Sequence, residues 1–159
     1  GMSIHRSDHE GFSLFIAQQK VKDLLPDSYQ GAAATVMRSE ILHAIIAHRA
    51  DGKPLPMEAG VVRIADALDM AKGRSRIPFR KGSGSIHSIS AAAIDSVHIE
   101  SGENKPVRLR IEMSNSAGVF QLDQLFGEKL AGSGLESYIE AEAHIEGEGE
   151  KRLFTEFRL

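Results

Sequence analysis

The stretch Val107-Arg108-Leu109-Arg110-Ile111-Glu112-Met113 alternates an apolar with a charged residue at every step. Successive side chains of a β-strand point to opposite faces of a sheet, so this period of two predicts a strand with one buried and one hydrated face. The segment Ile139-Glu140-Ala141-Glu142-Ala143-His144-Ile145 repeats the pattern. The second half of the chain is therefore expected to be built on a β-sheet.

Working outward from these strands, residues 93–100 predict a preceding strand and residues 152–159 predict a following one. Between the strands, residues 116–131 have the apolar spacing of a helix. The apolar positions of this helix are Leu122, Leu125, Phe126 and Leu130. We therefore predict a β-β-α-β-β domain over residues 91–159, in which one helix covers a four-stranded, mainly antiparallel sheet.

The first half of the chain has a helical period. Ile41, Ile45 and His48 recur at i, i+4 and i+7, which places them on one stripe of a helix. Residues 81–90 are rich in Gly and Ser and indicate a linker. The expected fold class is α+β, with a helical domain over residues 1–80 ahead of the linker.

A histidine marks the start of the first helix. Ser7-Asp8-His9-Glu10 reads as a capping box, in which Ser7 is the N-cap and Glu10 reaches back to it. His9, Phe12 and Ile16 then follow at i, i+3 and i+7, so His9 is expected to face the core from the first turn.

A carboxylate on a later helix joins this pattern. In the run Val61–Met70, Val62, Asp66 and Asp69 share one face, beside the more apolar face of Val61, Ala65 and Leu68. Asp66 is therefore expected to border the core and to meet His48 across a helix hairpin. Neutral imidazole and carboxylate together suit Zn, Fe, Mn or Ni.

Each of these side chains also has a simpler interpretation. A histidine on an apolar helix face is more often a core residue that is hydrogen-bonded to a carbonyl oxygen. Asp66 can equally be a polar residue at a helix seam, paired with Arg63 or Arg74.

Three segments of the first half resemble the later part of the HD superfamily of metal-dependent phosphohydrolases. They are Ser7–Ser13, the helix Ile41-Leu42-His43-Ala44-Ile45-Ile46-Ala47-His48, and Arg63-Ile64-Ala65-Asp66-Ala67-Leu68-Asp69. The sequence of these segments is most similar to that of the HD domain of ribonuclease Y. In that domain a similar helix precedes a basic tail like Lys72-Gly73-Arg74-Ser75-Arg76. The exopolyphosphatase-associated HD domain, with its His-Arg pair, is also similar.

The resemblance implies roles for these residues. Asp66 would be a metal ligand, His9 and His48 would bind a second metal or the substrate phosphate, and Asp66 and His48 would be catalytic. The implied cofactor is a divalent ion: Mn, Ni, Fe, Zn or Mg. The His-Asp dyad that names the family is absent, since no histidine is followed by aspartate. We therefore expect that the chain either starts inside an HD domain or is a natural remnant of one. We also expect it to bind metal weakly and to have little or no hydrolytic activity.

Cations surround the predicted site. Lys72, Arg74, Arg76, Arg80 and Lys81 occur with no acid between them. The expected phosphate-binding residues are Arg6, Arg49, Lys72, Arg74 and Arg76. The alternative for this segment is a solvated loop, because Gly73, Pro78, Gly82 and Gly84 interrupt it.

The composition of the chain limits the classes of protein to which it can belong. The chain has 159 residues, a formal charge of -3 and no cysteine, which excludes disulfides and thiolate chemistry. No apolar run approaches the length of a membrane span, so a cytoplasmic protein is expected. A helical layer that lacks covering helices leaves apolar surface, which predicts a homodimer or higher oligomer.

Two hypotheses of function follow. The first is an HD-type phosphohydrolase that acts on a nucleotide, an RNA end or another phosphate ester, of which this chain holds the later half of the site. The second is a non-catalytic binding or regulatory module with an HD-derived scaffold and an anion-binding pocket. The second domain contains no catalytic constellation, and His87, His98 and His144 are predicted to be surface or edge residues.

Overall fold

The computed structural model describes residues 1–49, 51–72, 86–145 and 156–158. These residues form an α+β fold, which confirms the predicted class. The chain divides into two compact units: residues 1–66 with 132–134, and residues 67–131 with 135–159. Of the predicted linker, residues 81–85 lie outside the described residues, and helix α4 (Ile86–Ala92) begins directly after them. The division into domains at 80 and 91 and the HD-type assignment of the first domain stay predictions.

The first unit is helical. Helix α1 spans His9–Leu24 and is followed by a 3-10 turn over Leu25–Asp27, and helix α2 spans Gly31–Ala47. Gly31 opens α2 with a φ of 58°, a left-handed conformation that glycine adopts without steric cost. Helix α3 spans Met57–Leu68 and begins just after Pro56, whose fixed φ suits the start of a helix.

Helices α1 and α2 pack against each other but leave much apolar surface uncovered. Helix α1 has no buried residue, and only Ala47 is buried in α2. Phe15 is 76% exposed and Ile16 is 51% exposed, so both belong to this uncovered surface. The physical reason is that a two-helix layer covers only one side of each helix. The apolar surface predicted for this layer is present.

Helix α3 buries a different face from the predicted one. Its buried residues are Ala59, Gly60, Arg63, Ile64 and Ala67. Val61 and Val62 are 52% and 44% exposed, and Ala65 is also exposed. Arg63 is only 2% exposed because its guanidinium donates a hydrogen bond to the Gly52 carbonyl oxygen. With Arg63 on the buried face of α3, Asp66 lies at the edge of that face and is half-buried.

The second unit contains a mixed sheet. Its three long strands are β1 (Ile94–Ser101), β2 (Val107–Met113) and β3 (Ile139–Ile145). β1 pairs with β2 antiparallel, whereas β2 pairs with β3 parallel, from Val107 opposite Ile139 to Met113 opposite Ile145. The sheet is therefore mixed: the pairing of β2 with β3 is parallel in a sheet that the sequence predicts to be mainly antiparallel. The reason is the connection, because a helical crossover joins parallel neighbours.

The predicted last strand is described only in part. Glu156–Arg158 forms a three-residue strand, β4, that pairs antiparallel with β3. Residues 152–155 and 159 of the prediction lie outside the described residues.

The connection between β2 and β3 is helical but not one regular α-helix. It contains a 3-10 turn over Ser116–Gly118, a π-helical stretch over Gln121–Gly127 and an α-helical turn, α5, over Glu128–Leu130. Leu122, Phe126 and Leu130 are buried as predicted, whereas Leu125 is half-buried. The core of this unit combines them with buried strand residues: Ile94, Leu109, Ile111, Met113, Ile139, Ala141, Ala143 and Ile145. None of the helices in the described part of the chain has the length and apolar character of a bilayer span.

Candidate functional site

Two histidines that lie 39 positions apart in sequence touch each other in the first unit. His9 lies in the first turn of α1, and His48 lies directly after the end of α2. The distance between their Nε2 atoms is 3.1 Å, and the ring planes meet at 60°. Both side chains are half-buried. The structure therefore brings together two of the three predicted metal ligands.

The outer nitrogens of both rings are held by backbone carbonyl groups. His9 Nδ1 lies 3.0 Å from the carbonyl oxygen of Arg6, and His48 Nδ1 lies 2.6 Å from that of Ile45. A carbonyl oxygen only accepts hydrogen bonds, so each Nδ1 must carry the proton and donate it. In two neutral rings of this tautomer the Nε2 lone pairs face each other. Such a contact is favourable only when a proton or a metal cation lies between the two nitrogens.

Each histidine is followed by a charged residue, and these two charged residues are also paired. Arg49 Nη1 donates to Glu10 Oε1 at 2.7 Å and to the carbonyl oxygen of Ser7 at 2.8 Å. Asp51 lies 3.4 Å from the Nε of Arg49. The second oxygen of Glu10, Oε2, lies 3.4 Å from His9 Nδ1.

These contacts correct the predicted capping box. Helix α1 begins at His9 with Asp8 as its N-cap, and no side chain caps it. Glu10 does not reach back to Ser7, because its carboxylate binds the Arg49 guanidinium, a charge-assisted hydrogen bond that is stronger than a neutral cap.

Glu10 and Arg49 both stay ionised. A hydrogen bond from its own backbone N–H and the Arg49 guanidinium lower the pKa of Glu10, although burial opposes them. The carboxylates of Glu10 and Asp51 raise the pKa of Arg49. The positive charge of Arg49 is therefore balanced by two neighbouring carboxylates.

The third predicted ligand does not complete a metal set. Asp66 is half-buried on α3, and across residues 1–49, 51–72, 86–145 and 156–158 no three His, Asp or Glu side chains are grouped so as to hold one metal ion. The ligand set of His9, His48 and Asp66 therefore stays a prediction.

The predicted phosphate-binding cations have varied surroundings. Arg6 is exposed, and its carbonyl oxygen binds His9. Lys72 Nζ lies 2.6 Å from Asp95 Oδ1, so Lys72, like Arg49, is paired with a carboxylate. Arg74 and Arg76 lie outside the described residues. Binding of phosphate by these side chains remains a prediction.

The polar face of the sheet has the cross-strand ion pairs of a hydrated surface. Glu100 accepts hydrogen bonds from Arg108 and Arg110, each at 3.1 Å, and these bonds lower its pKa against the effect of burial. His98 is exposed and lies 2.9 Å from Ser96, and His144 is 40% exposed. The side chain of His87 lies outside the described residues.

Sequence reasoning missed the pair of Glu10 and Arg49. The sequence pattern assigns Glu10 to a helix cap and Arg49 to phosphate binding. The available signal was their position, since each directly follows a histidine predicted to face inward. Two inward residues that touch bring their chain neighbours close together.

The chain is similar to an uncharacterized protein of Methanocaldococcus jannaschii, with 41% identity over 159 residues. The match covers all of this chain and 61% of that relative, so the chain spans less than two thirds of the relative's length. No family model matches the chain, and no solved structure matches it.

Proposed function

We propose that this chain contributes part of a divalent-metal site to a metal-dependent phosphohydrolase of the HD type, with His9 and His48 as metal ligands. The observation that carries the proposal is the pair of facing Nε2 atoms at 3.1 Å, each on a ring whose Nδ1 donates to a carbonyl oxygen.

The donor chemistry of the pair fits a transition-metal ion. Two nitrogens that are each about 2.0–2.1 Å from one ion are about 2.8–3.4 Å apart at bond angles between a right angle and a tetrahedral angle. The separation of 3.1 Å falls in this range. Metal-bound histidines usually donate their other N–H to a carbonyl or carboxylate oxygen, as both rings do here.

A bound divalent ion supplies Lewis acidity and an activated water for attack on a phosphoryl group. The residues of this chain hold the nitrogen donors: the Arg6 and Ile45 carbonyl groups fix both rings in the Nδ1–H tautomer, so that Nε2 stays available. Asp66 is the third ligand that the HD resemblance implies, although among the described residues the structure does not bring it into one group with the two histidines. The substrate class is a phosphate-containing small molecule or RNA, the cellular location is cytoplasmic, and the exposed apolar residues of α1 support a homo-oligomer.

The second candidate function is a non-catalytic binding or regulatory module. One observation favours it: Arg49 and Lys72, two of the cations predicted to bind phosphate, are each paired with a carboxylate.

Metal titration tests the proposal. We expect the purified chain to bind Ni²⁺ in isothermal titration calorimetry, and we expect His9→Ala and His48→Ala each to weaken binding more than about 10-fold. His98→Ala is the matched control, because it removes an exposed histidine of the second unit. Absence of Ni²⁺ binding, or equal binding by the three variants, would overturn the metal site. Hydrolysis of bis-p-nitrophenyl phosphate with Mn²⁺ then tests the first function directly: turnover that His48→Ala abolishes supports the hydrolase.

A further inference from the structure

Two parallel cross-links join α1 to the end of α2, and each is built from neighbouring residues. His9 touches His48, and Glu10, the next residue, binds Arg49, the residue after His48. Both contacts span 39 positions in sequence. The ion pair therefore lies immediately beside the two imidazoles.

The carboxylate of Glu10 connects the ion pair to the histidines. Its Oε1 binds Arg49 at 2.7 Å, while its Oε2 lies 3.4 Å from His9 Nδ1. Oε2 is shielded from solvent and has no hydrogen-bond partner within the described part of the chain. The Glu10 side chain is 16% exposed, so the negative oxygen stays beside the ring instead of turning to water.

Arg49 fixes that carboxylate from the other side. The same Nη1 atom also donates to the Ser7 carbonyl oxygen at 2.8 Å, which ties Arg49 to the segment just before α1. The arginine therefore holds the N-terminus of α1 against the end of α2. A lysine has a single ammonium group and cannot reproduce the planar arrangement of donors.

We propose that Glu10 and Arg49 are positioning residues for the proposed metal site, which hold the His9 ring against His48 while the Arg6 carbonyl oxygen keeps that ring in the Nδ1–H tautomer. The inference rests on the proposed function. It gives Arg49 a role different from the phosphate binding that the HD resemblance implies. Neither residue contacts the facing Nε2 atoms, so both act through the histidines.

The test compares Glu10→Gln and Arg49→Lys with Glu100→Gln. The control removes a carboxylate that also pairs with arginine, but on the sheet of the second unit. The metal-free readout is the set of His9 ring signals in long-range ¹H–¹⁵N NMR spectra, which report the position and surroundings of the ring. The second readout is Ni²⁺ affinity by calorimetry, and far-UV circular dichroism checks that the helices are retained.

We expect Glu10→Gln to shift the His9 ring signals, because the negative charge beside the ring is lost, and to weaken Ni²⁺ binding about 10-fold, the lower end of the effect of losing a group that orients a metal-bound histidine. Arg49→Lys should give a smaller shift in the same direction, and Glu100→Gln should change neither readout. Ring signals and affinity in Glu10→Gln equal to those in Glu100→Gln would overturn the inference. If the wild-type chain binds no Ni²⁺, the proposed function fails by itself, while the ring signals of the metal-free protein still decide the role of Glu10.

Discussion

Substitution of Gly118 by alanine should destabilise the second unit, because no space exists for a methyl group there. An added Cβ would lie 3.1 Å from Met113 Cγ, 3.3 Å from Ile94 Cγ1 and closer still to Met113 Sδ. Met113 is 1% exposed and Ile94 is 0% exposed, so neither side chain can withdraw into solvent. Overpacking of this kind costs about 1–3 kcal/mol.

The assay is urea unfolding followed by circular dichroism, with Gly127→Ala as the control. Gly127 belongs to the same helical connection, and its nearest contact would be a single atom, the Leu122 carbonyl oxygen, at 3.3 Å. We expect that control to change the free energy of unfolding by less than about 0.5 kcal/mol, because the gain from replacing a helical glycine, about 0.5–1 kcal/mol, offsets the tight contact.

A double-mutant cycle identifies the contact itself. Met113→Ala alone should cost about 2–5 kcal/mol through the cavity it leaves. In the Gly118→Ala background the new methyl group partly fills that cavity, so the double variant should be more stable than the sum of the single effects by about 1 kcal/mol. Strict additivity, or a Gly118→Ala variant as stable as Gly127→Ala, would refute the packing argument.

Two further predictions concern pH and packing. The pKa of Glu140, lowered chiefly by the Glu103 backbone N–H, and that of Glu100 lie below their ordinary values. Their stabilising effect is therefore present above the unfolded-state pKa of about 4.3 and is lost as the pH falls through the folded-state values. The urea midpoint should fall from pH 6 to pH 3, less steeply in Glu140→Gln, and an equal slope would contradict the assignment. Phe126→Ala should cost about 3–5 kcal/mol in urea unfolding, because Phe126 is 0% exposed. Phe15→Ala, at a residue 76% exposed, should cost less than about 0.5 kcal/mol and should reduce self-association in light scattering; an equal cost at both sites would be inconsistent with their burial.

The strands were predictable because their alternation is local. β2 and β3 span the same residues in the structure as in the sequence pattern, and their buried side chains are the apolar members of each alternation. The direction of β3 was not encoded in that pattern, since parallel and antiparallel partners alternate in the same way. The only signal was the connection, because residues 114–138 are long enough for a crossover.

The buried face of α3 shows a different limit of prediction from sequence. The apolar spacing predicts that α3 faces the core with Val61, Ala65 and Leu68, and it assigns no buried position to Arg63. In the structure Arg63 is buried, because the Gly52 carbonyl oxygen compensates its guanidinium. Gly52 lies in the loop before α3, so the partner that decides the rotation of the helix lies outside the helix.

The histidine pair shows why the sequence left two interpretations open at the site. A core histidine bonded to a carbonyl oxygen and a metal ligand require the same inward position, so spacing cannot separate them. In the structure the two interpretations are compatible: His48 donates from Nδ1 to Ile45, and the same hydrogen bond leaves its Nε2 free to face His9. The carbonyl bond is thus a precondition of ligand chemistry at Nε2. What separates a structural from a functional histidine here is the identity of the group opposite Nε2, and in this chain that group is a second imidazole nitrogen.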